Sequence, residues 1–262
     1  MISLAFVQTW SARALGVALL LQTIELFEIR RALRDESVFS WPVLRREHDA
    51  LPGLLRGAFA ALLPYSRFVA LLWMRLAFAL LLVAGQTSAA PFLLVSQVAV
   101  CVRFRGTFNG GSDHMSIVVL LGVTWAWAWQ AYPLAASAGY LYVAVQLVLS
   151  YFLAGLAKVR EPAWRRGHAL ASFAADVRYG VPRWARAVMA DPYASRPLCW
   201  LVLLFECSYP LALTSHLAAA AYLILGLFFH AFNGVVFGLN GFLFAWAAAY
   251  PSLLFASAFT GD

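Results

Sequence analysis

The sequence predicts an all-α fold, a polytopic bundle of about seven or eight transmembrane helices with one amphipathic helix lying at the interface. Three observations predict it. Of the 262 residues, 63% are hydrophobic and only 12% are charged, and the mean hydropathy is +0.77, far from the averages of soluble domains. Apolar runs of about twenty residues, the length that crosses the hydrocarbon core of a bilayer, recur along the chain. Arginines collect between those runs, as topology determinants do. No polar stretch is long enough for a separate soluble domain, so residues 1–262 read as a single transmembrane domain with two polar segments, 30–53 and 159–196.

The first run, 11–29, leads into Glu25, Glu28 and an arginine cluster rather than a small-residue cleavage site. It reads as an uncleaved helix and not a signal peptide. A basic segment follows, with Arg30, Arg31, Arg34, Arg45, Arg46 and Arg56 punctuated by Pro42 and Pro52, and residues 54–64 are expected along the interface. Helices are predicted at 66–84 and 89–103. The stretch Phe-Asn-Gly-Gly-Ser-Asp-His, 108–114, then turns the chain into a helix at 114–131, with Asp113 placed to cap its amide groups. The next helix, 136–158, runs to Lys158 and is stopped at Pro162.

In the second polar segment, Leu170, Phe173, Ala174 and Val177 set against Arg165, Arg166, Asp176 and Arg178 describe a helix in the headgroup plane. A helix at 197–214 follows. The last apolar block, 216–258, is divided by Gly234, Gly238 and Gly241 into two helices or one span and a broken one. Basic residues follow the first, third and fifth helices and are missing from the connections at 85–88, 132–137 and 215. This places the basic segments in the cytoplasm and the N-terminus outside.

Several function classes find no support. The formal net charge of +7 is carried by inter-helix arginines, which points to orientation and lipid contact and not to nucleic acid. Cys101, Cys199 and Cys207 lie in apolar surroundings with no metal-ligand spacing, so no metal is predicted. No nucleophile elbow, zinc helix, phosphate loop or dinucleotide fingerprint occurs.

Candidate site residues are the polar groups that membrane burial makes costly. Of 19 Lys and Arg residues, only Lys158 is lysine. Where arginine serves every other cationic position, a retained lysine suggests a need for a side chain that can be neutral, a base; a snorkelling helix-end lysine is the plainer alternative. Arg75 and Glu206 sit mid-helix and are expected to form a structural ion pair with one another, or with Glu25. His230, Asn233 and Asn240 share a face if the helix continues, either as an interhelical hydrogen-bond network or as an acid–base group with polar neighbours. Asp113 with His114 beside it forms a weaker candidate.

Two blocks carry a resemblance. Tyr151 to Val159, Tyr-Phe-Leu-Ala-Gly-Leu-Ala-Lys-Val, followed by Trp164 and Gly167, together with His230 to Phe242, His-Ala-Phe-Asn-Gly-Val-Val-Phe-Gly-Leu-Asn-Gly-Phe, resembles the vitamin K-dependent γ-carboxylases and their bacterial HTTM-domain relatives. The turn at 108–114 is similar to that family's entry to an earlier helix, and order and spacing agree over 104–256.

The resemblance implies a lyase-class, quinone-using membrane enzyme. In it, a lysine matching Lys158 deprotonates a reduced naphthoquinone, and reaction with dioxygen then yields a base strong enough to remove a proton from a glutamate γ-carbon before carbon dioxide adds. It implies that His230 joins Lys158 in catalysis, that His114 steadies an oxyanion, and that Asn233, Asn240, Asp113, Asn109 and Trp164 line the quinone or substrate pocket. Animal carboxylases carry a second lysine where this sequence has Ala157, and a large extramembrane region for the substrate's propeptide that is not expected here. The partners implied are the bilayer and a small peptide, in a bacterial inner or cell membrane. Two other readings stand beside this one. The first is a non-enzymatic membrane partner in peptide maturation, export or immunity. The second is a small transporter using Arg75, Glu206 and His230 as a relay, against which the lack of an inverted repeat counts.

Overall fold

The structure, a computed structural model, describes residues 2–104 and 110–259. Among these residues it is all-helical: α1 (Leu4–Glu28), α2 (Trp41–Leu44), α3 (Gly53–Leu62), α4 (Tyr65–Val83), α5 (Ala90–Phe104), α6 (Gly111–Ala128), α7 (Pro133–Arg160), α8 (Pro162–Arg166), α9 (Ala169–Ala175), α10 (Arg183–Ala190), α11 (Pro192–Cys207), α12 (His216–Phe237) and α13 (Asn240–Ser257). Five helical segments among the described residues are long and apolar enough to cross a membrane: Leu4–Glu28, Tyr65–Val83, Thr87–Phe104, Pro133–Arg160 and His216–Phe237. The chain, read from sequence as one membrane domain, separates into two compact units: Gln8–Gly139, and Met1–Val7 with Tyr140–Asp262.

In the unit Gln8–Gly139, a small residue sets how closely two helices pack. A Cβ built on Gly16 of α1 would lie 2.7 Å from the Val83 amide nitrogen and 2.8 Å from its Cγ2 on α4, so only glycine permits that approach. Phe68, Leu71 and Leu72 of α4 pack with Val100 and Phe104 of α5, and the 30–44 segment adds Leu33, Trp41 and Leu44 to the same cluster. Asp113 is not the N-cap residue of α6, although its carboxylate reaches back from the first turn to accept from the Gly110 amide. The cap position is Gly110 and makes no side-chain bond, while Asp113 lies three residues into the helix, turned into the interior.

In the other unit, local sequence fixes the helix ends. Asp191 accepts from the Tyr193 amide at 3.0 Å with Pro192 in the first turn of α11, and Ser215 accepts from the Ala218 amide at 3.1 Å to open α12. Gly238, at φ +70°, ends α12, its amide reaching the Gly234 carbonyl at 3.0 Å. The helix therefore does not continue to Asn240, which begins α13 and is exposed. That removes the expected His230–Asn233–Asn240 stripe.

The single headgroup-plane helix expected over 165–178 is also corrected. Gly167 adopts φ +83°, and a Cβ there would lie 2.5 Å from Arg196 Cα, so the segment breaks into α8 and α9. Val177, counted on its apolar face, is 87% exposed. Leu170 instead packs on Ala174, Val181, Ala185, Met189 and Val236, and the clearest two-faced helix is α10, with Ala185 and Met189 buried and Arg183 and Arg186 outside. Between α9 and α10, Arg178 donates to Asp176 from its guanidinium and its amide, holding that carboxyl down at about 2.

Candidate functional site: an ion pair beside an apolar cavity

The unit that includes Tyr140–Asp262 contains the most chemically specific arrangement. Tyr151, Gly155 and Lys158 recur at four- and three-residue intervals along α7 and so share one face. Gly155 lets that face meet α11: a Cβ on it would sit 2.8 Å from both the amide nitrogen and Sγ of Cys207 and 3.0 Å from the Glu206 carbonyl carbon. One turn further on, Lys158 Nζ donates to both carboxylate oxygens of Glu206, at 2.7 and 2.8 Å. The Glu206 side chain is 4% exposed and that of Lys158 25%, so the carboxylate is the buried end of the pair. Trp164, in the short helix after Pro162, places its ring centroid 5.5 Å from Nζ, within cation–π range.

Lys158, the more exposed end of the pair, borders a cavity of about 430 Å³. Its wall is aromatic and aliphatic, including Trp164, Phe173, Phe205, Phe229 and Phe232, and Lys158 and Asn233 supply polar groups to it. Leu201, Leu225 and Phe228 also line it and are 64%, 53% and 73% exposed. The cavity thus opens through apolar residues on the outer surface. Asn233 donates to the Phe229 carbonyl at 2.9 Å, which leaves its amide oxygen available.

His230 lies elsewhere, 3% exposed. Its Nε2 is 2.7 Å from the Tyr151 hydroxyl, which is in turn 2.8 Å from that of Tyr250, and Nδ1 has no partner. Trp246 and Phe242 flank the imidazole, and Tyr151 stacks on Tyr209 at 3.9 Å. Gly226 makes the space, since a Cβ there would collide with the Tyr250 hydroxyl. This buried network does not line the cavity; from α7, Tyr151 belongs to the network and Lys158 to the cavity wall.

The expected Arg75–Glu206 ion pair is not formed, because each has other partners. In the unit Gln8–Gly139, the fully buried Arg75 donates to Thr23 at 3.0 Å, Ser96 at 2.9 Å, Gln22 at 2.6 Å and Gln97 at 2.5 Å. Both glutamines then donate through Nε2 to Asp113, Gln97 at 3.1 Å. An arginine and an aspartate are thus joined through two amides, and each amide satisfies one charge at each end. Glu25, the alternative partner, is exposed.

Of the residues read from sequence, the structure brings together Lys158, Glu206, Trp164 and Asn233. Asp113 belongs to the Arg75 cluster, His114 is exposed with Nδ1 3.1 Å from the Gly110 carbonyl, and Asn109 lies outside the described residues. Sequence reading missed Tyr151, Tyr250, Gly155 and Gly226. For the first and third, the shared helical face with Lys158 was an available signal. Among the described residues, no group of three His, Cys, Asp or Glu is arranged to hold a metal ion.

Gly155→Val is expected to force α7 off Cys207, costing about 1–3 kcal/mol by overpacking and parting Lys158 from Glu206. Thermal unfolding in detergent measures the first effect, and protection of Lys158 from amine-selective acylation the second. Comparison with known proteins finds no matching family model, no matching curated protein and no matching solved structure.

Proposed function

We propose that this is a multi-pass membrane enzyme that uses Lys158 and Glu206 as a proton-transfer pair on an apolar cyclic ligand drawn laterally from the bilayer. On this reading α6, α11 and α13 join the five long apolar segments as spans, and the protein works in a bacterial cell membrane. The observation that carries it is the only lysine of the chain, bonded to a buried glutamate and lining an aromatic cavity.

Low dielectric penalises both charges of the pair. Lys158, unlike an arginine, has a neutral amine form, which can accept a proton from a ligand hydroxyl. The aromatic wall and the volume suit a naphthoquinone ring, with the amide oxygen of Asn233 as acceptor for a ring hydroxyl. A reduced naphthoquinone held there would supply, with dioxygen, the strong base of a γ-carboxylase-like reaction that adds carbon dioxide to a glutamate of a small peptide. Within this scheme His230 is a positioning residue, acting through Tyr151 on the α7 face that carries Lys158.

A non-enzymatic role as partner in peptide maturation, export or immunity is the second reading, favoured by the two short bonds that clamp Lys158 on Glu206. Lys158→Arg separates the two, since arginine keeps the charge and the pair but does not give up a proton. Mass spectrometry of peptides encoded beside this gene is expected to find an added carboxyl group on glutamate in wild type and none with Lys158→Arg. Unmodified peptides in wild type, or full biological function with Lys158→Arg, would contradict the enzymatic reading.

A further inference from the structure

A second cavity, of about 510 Å³, lies in the unit Gln8–Gly139 and is lined by Arg45, Arg46, Arg56, His48, Asp49, Trp41, Phe59, Ala60 and Pro64. It is built by the segment between α1 and α4. The 3-10 turn Arg45–His48 presents both arginines, and Arg56 enters from α3, its Nη1 donating to the Asp49 carbonyl at 3.3 Å. Trp41 stacks on the His48 ring at 6.1 Å and Phe59 meets it edge-on at 5.3 Å. Nε2 of His48 is a buried nitrogen with no hydrogen-bond partner. The lining holds three guanidinium groups and one carboxylate, that of Asp49, so the cavity carries a net positive charge even with His48 neutral.

The surroundings say what kind of anion fits. α3, Gly-Leu-Leu-Arg-Gly-Ala-Phe-Ala-Ala-Leu, is apolar, buries none of its residues and is only 10 residues long, too short to cross a bilayer. Leu54 at its start is 87% exposed, and Val38 and Val43 on the same segment are 84% and 64% exposed. An apolar helix that packs only Phe59 and Leu62 on the core, leaves its other face exposed and runs directly into a long apolar helix fits burial in the acyl boundary, with the arginines of the segment at headgroup level. A free anion in water would account for the guanidinium groups but not for the bare leucines beside them.

We propose that this cavity binds the headgroup of an anionic phospholipid: Arg45, Arg46 and Arg56 hold the phosphodiester, His48 Nε2 bonds a phosphate or glycerol oxygen, and the acyl chains lie along Leu54 and the rest of α3. The guanidinium groups supply paired N–H donors to phosphate oxygens. This site is independent of the cavity beside Lys158.

The test is native mass spectrometry of the full chain in detergent, titrated with dioctanoyl phosphatidylglycerol, dioctanoyl phosphatidylcholine or glycerol 3-phosphate. Saturable binding of one phosphatidylglycerol, with phosphatidylcholine binding much more weakly, is expected. The triple variant Arg45→Gln, Arg46→Gln, Arg56→Gln is expected to lose roughly 100-fold in affinity, and Arg165→Gln with Arg166→Gln, in the other basic segment, to lose nothing. Arg56→Gln alone, a milder change, is expected to lose about fivefold, which keeps the test decisive if the triple variant fails to fold. Leu54→Gln, on an exposed position, weakens phosphatidylglycerol and leaves glycerol 3-phosphate unchanged. Glycerol 3-phosphate binding as tightly as phosphatidylglycerol, equal binding of the two phospholipids, or full affinity in Arg56→Gln would each overturn the assignment.

Discussion

Lys158→Met is expected to destabilise the detergent-solubilised protein by about 3–5 kcal/mol, the cost of leaving a buried charge without its partner. Glu206, 4% exposed, is the group stranded; the 25% exposure of Lys158 places the effect nearer the lower bound, because water reaches the ammonium end. Adding Glu206→Met removes the stranded carboxylate, and the double variant is expected to return to within about 1 kcal/mol of wild type, since a buried ion pair and an apolar pair of similar volume are nearly equal in stability. Chemical denaturation followed by helicity measures all three. Equal losses in the single and double variants would mean that the pair contributes through packing and not through charge.

Arg75→Met is expected to cost as much, about 3–5 kcal/mol, for a related reason. The guanidinium donates to Thr23, Ser96, Gln22 and Gln97, so its loss leaves four acceptors and the Asp113 carboxylate in an apolar interior. Asp113→Asn added to Arg75→Met is expected to recover only part of the loss. The carboxylate charge is gone, but Gln22 and Gln97, each with its oxygen on Arg75 and its nitrogen on Asp113, still lack one partner. This incomplete rescue distinguishes the four-acceptor cluster from the simple pair at Lys158, where rescue is nearly complete. Full recovery would show that the amides do not couple the two charges.

Hydropathy located the helices well and chose their neighbours badly, and the contrast has a physical origin. Runs of apolar residues report length and depth, and eight such runs correspond to α1, α4, α5, α6, α7, α11, α12 and α13. Depth says nothing of rotation about the helix axis. Arg75 and Glu206 fall mid-way through the spans the sequence predicts at 66–84 and 197–214, which suggests a pair, whereas Glu206, next to last in α11, faces Lys158 and Arg75 faces a ring of uncharged polar side chains that single-residue scanning for charge passes over. The Asn240 expectation failed on one torsion, the left-handed Gly238, and the long amphipathic helix failed on another, Gly167. A glycine in an apolar run reads equally as packing contact or break, and only its neighbours decide. Gly155 and Gly226 are packing contacts that give α7 its approach to α11 and the tyrosines their space. Lys158, by contrast, was legible because composition singled it out as the one lysine among arginines.

The most direct measurement is equilibrium binding of a naphthoquinone to the purified protein in mild detergent, comparing wild type with Val202→Trp, which fills the cavity from its α11 wall, and with Lys158→Gln. Wild type is expected to bind one equivalent, Val202→Trp none, and Lys158→Gln with reduced affinity. Binding that is the same in all three proteins would contradict the assignment of this cavity and its lysine as the functional site.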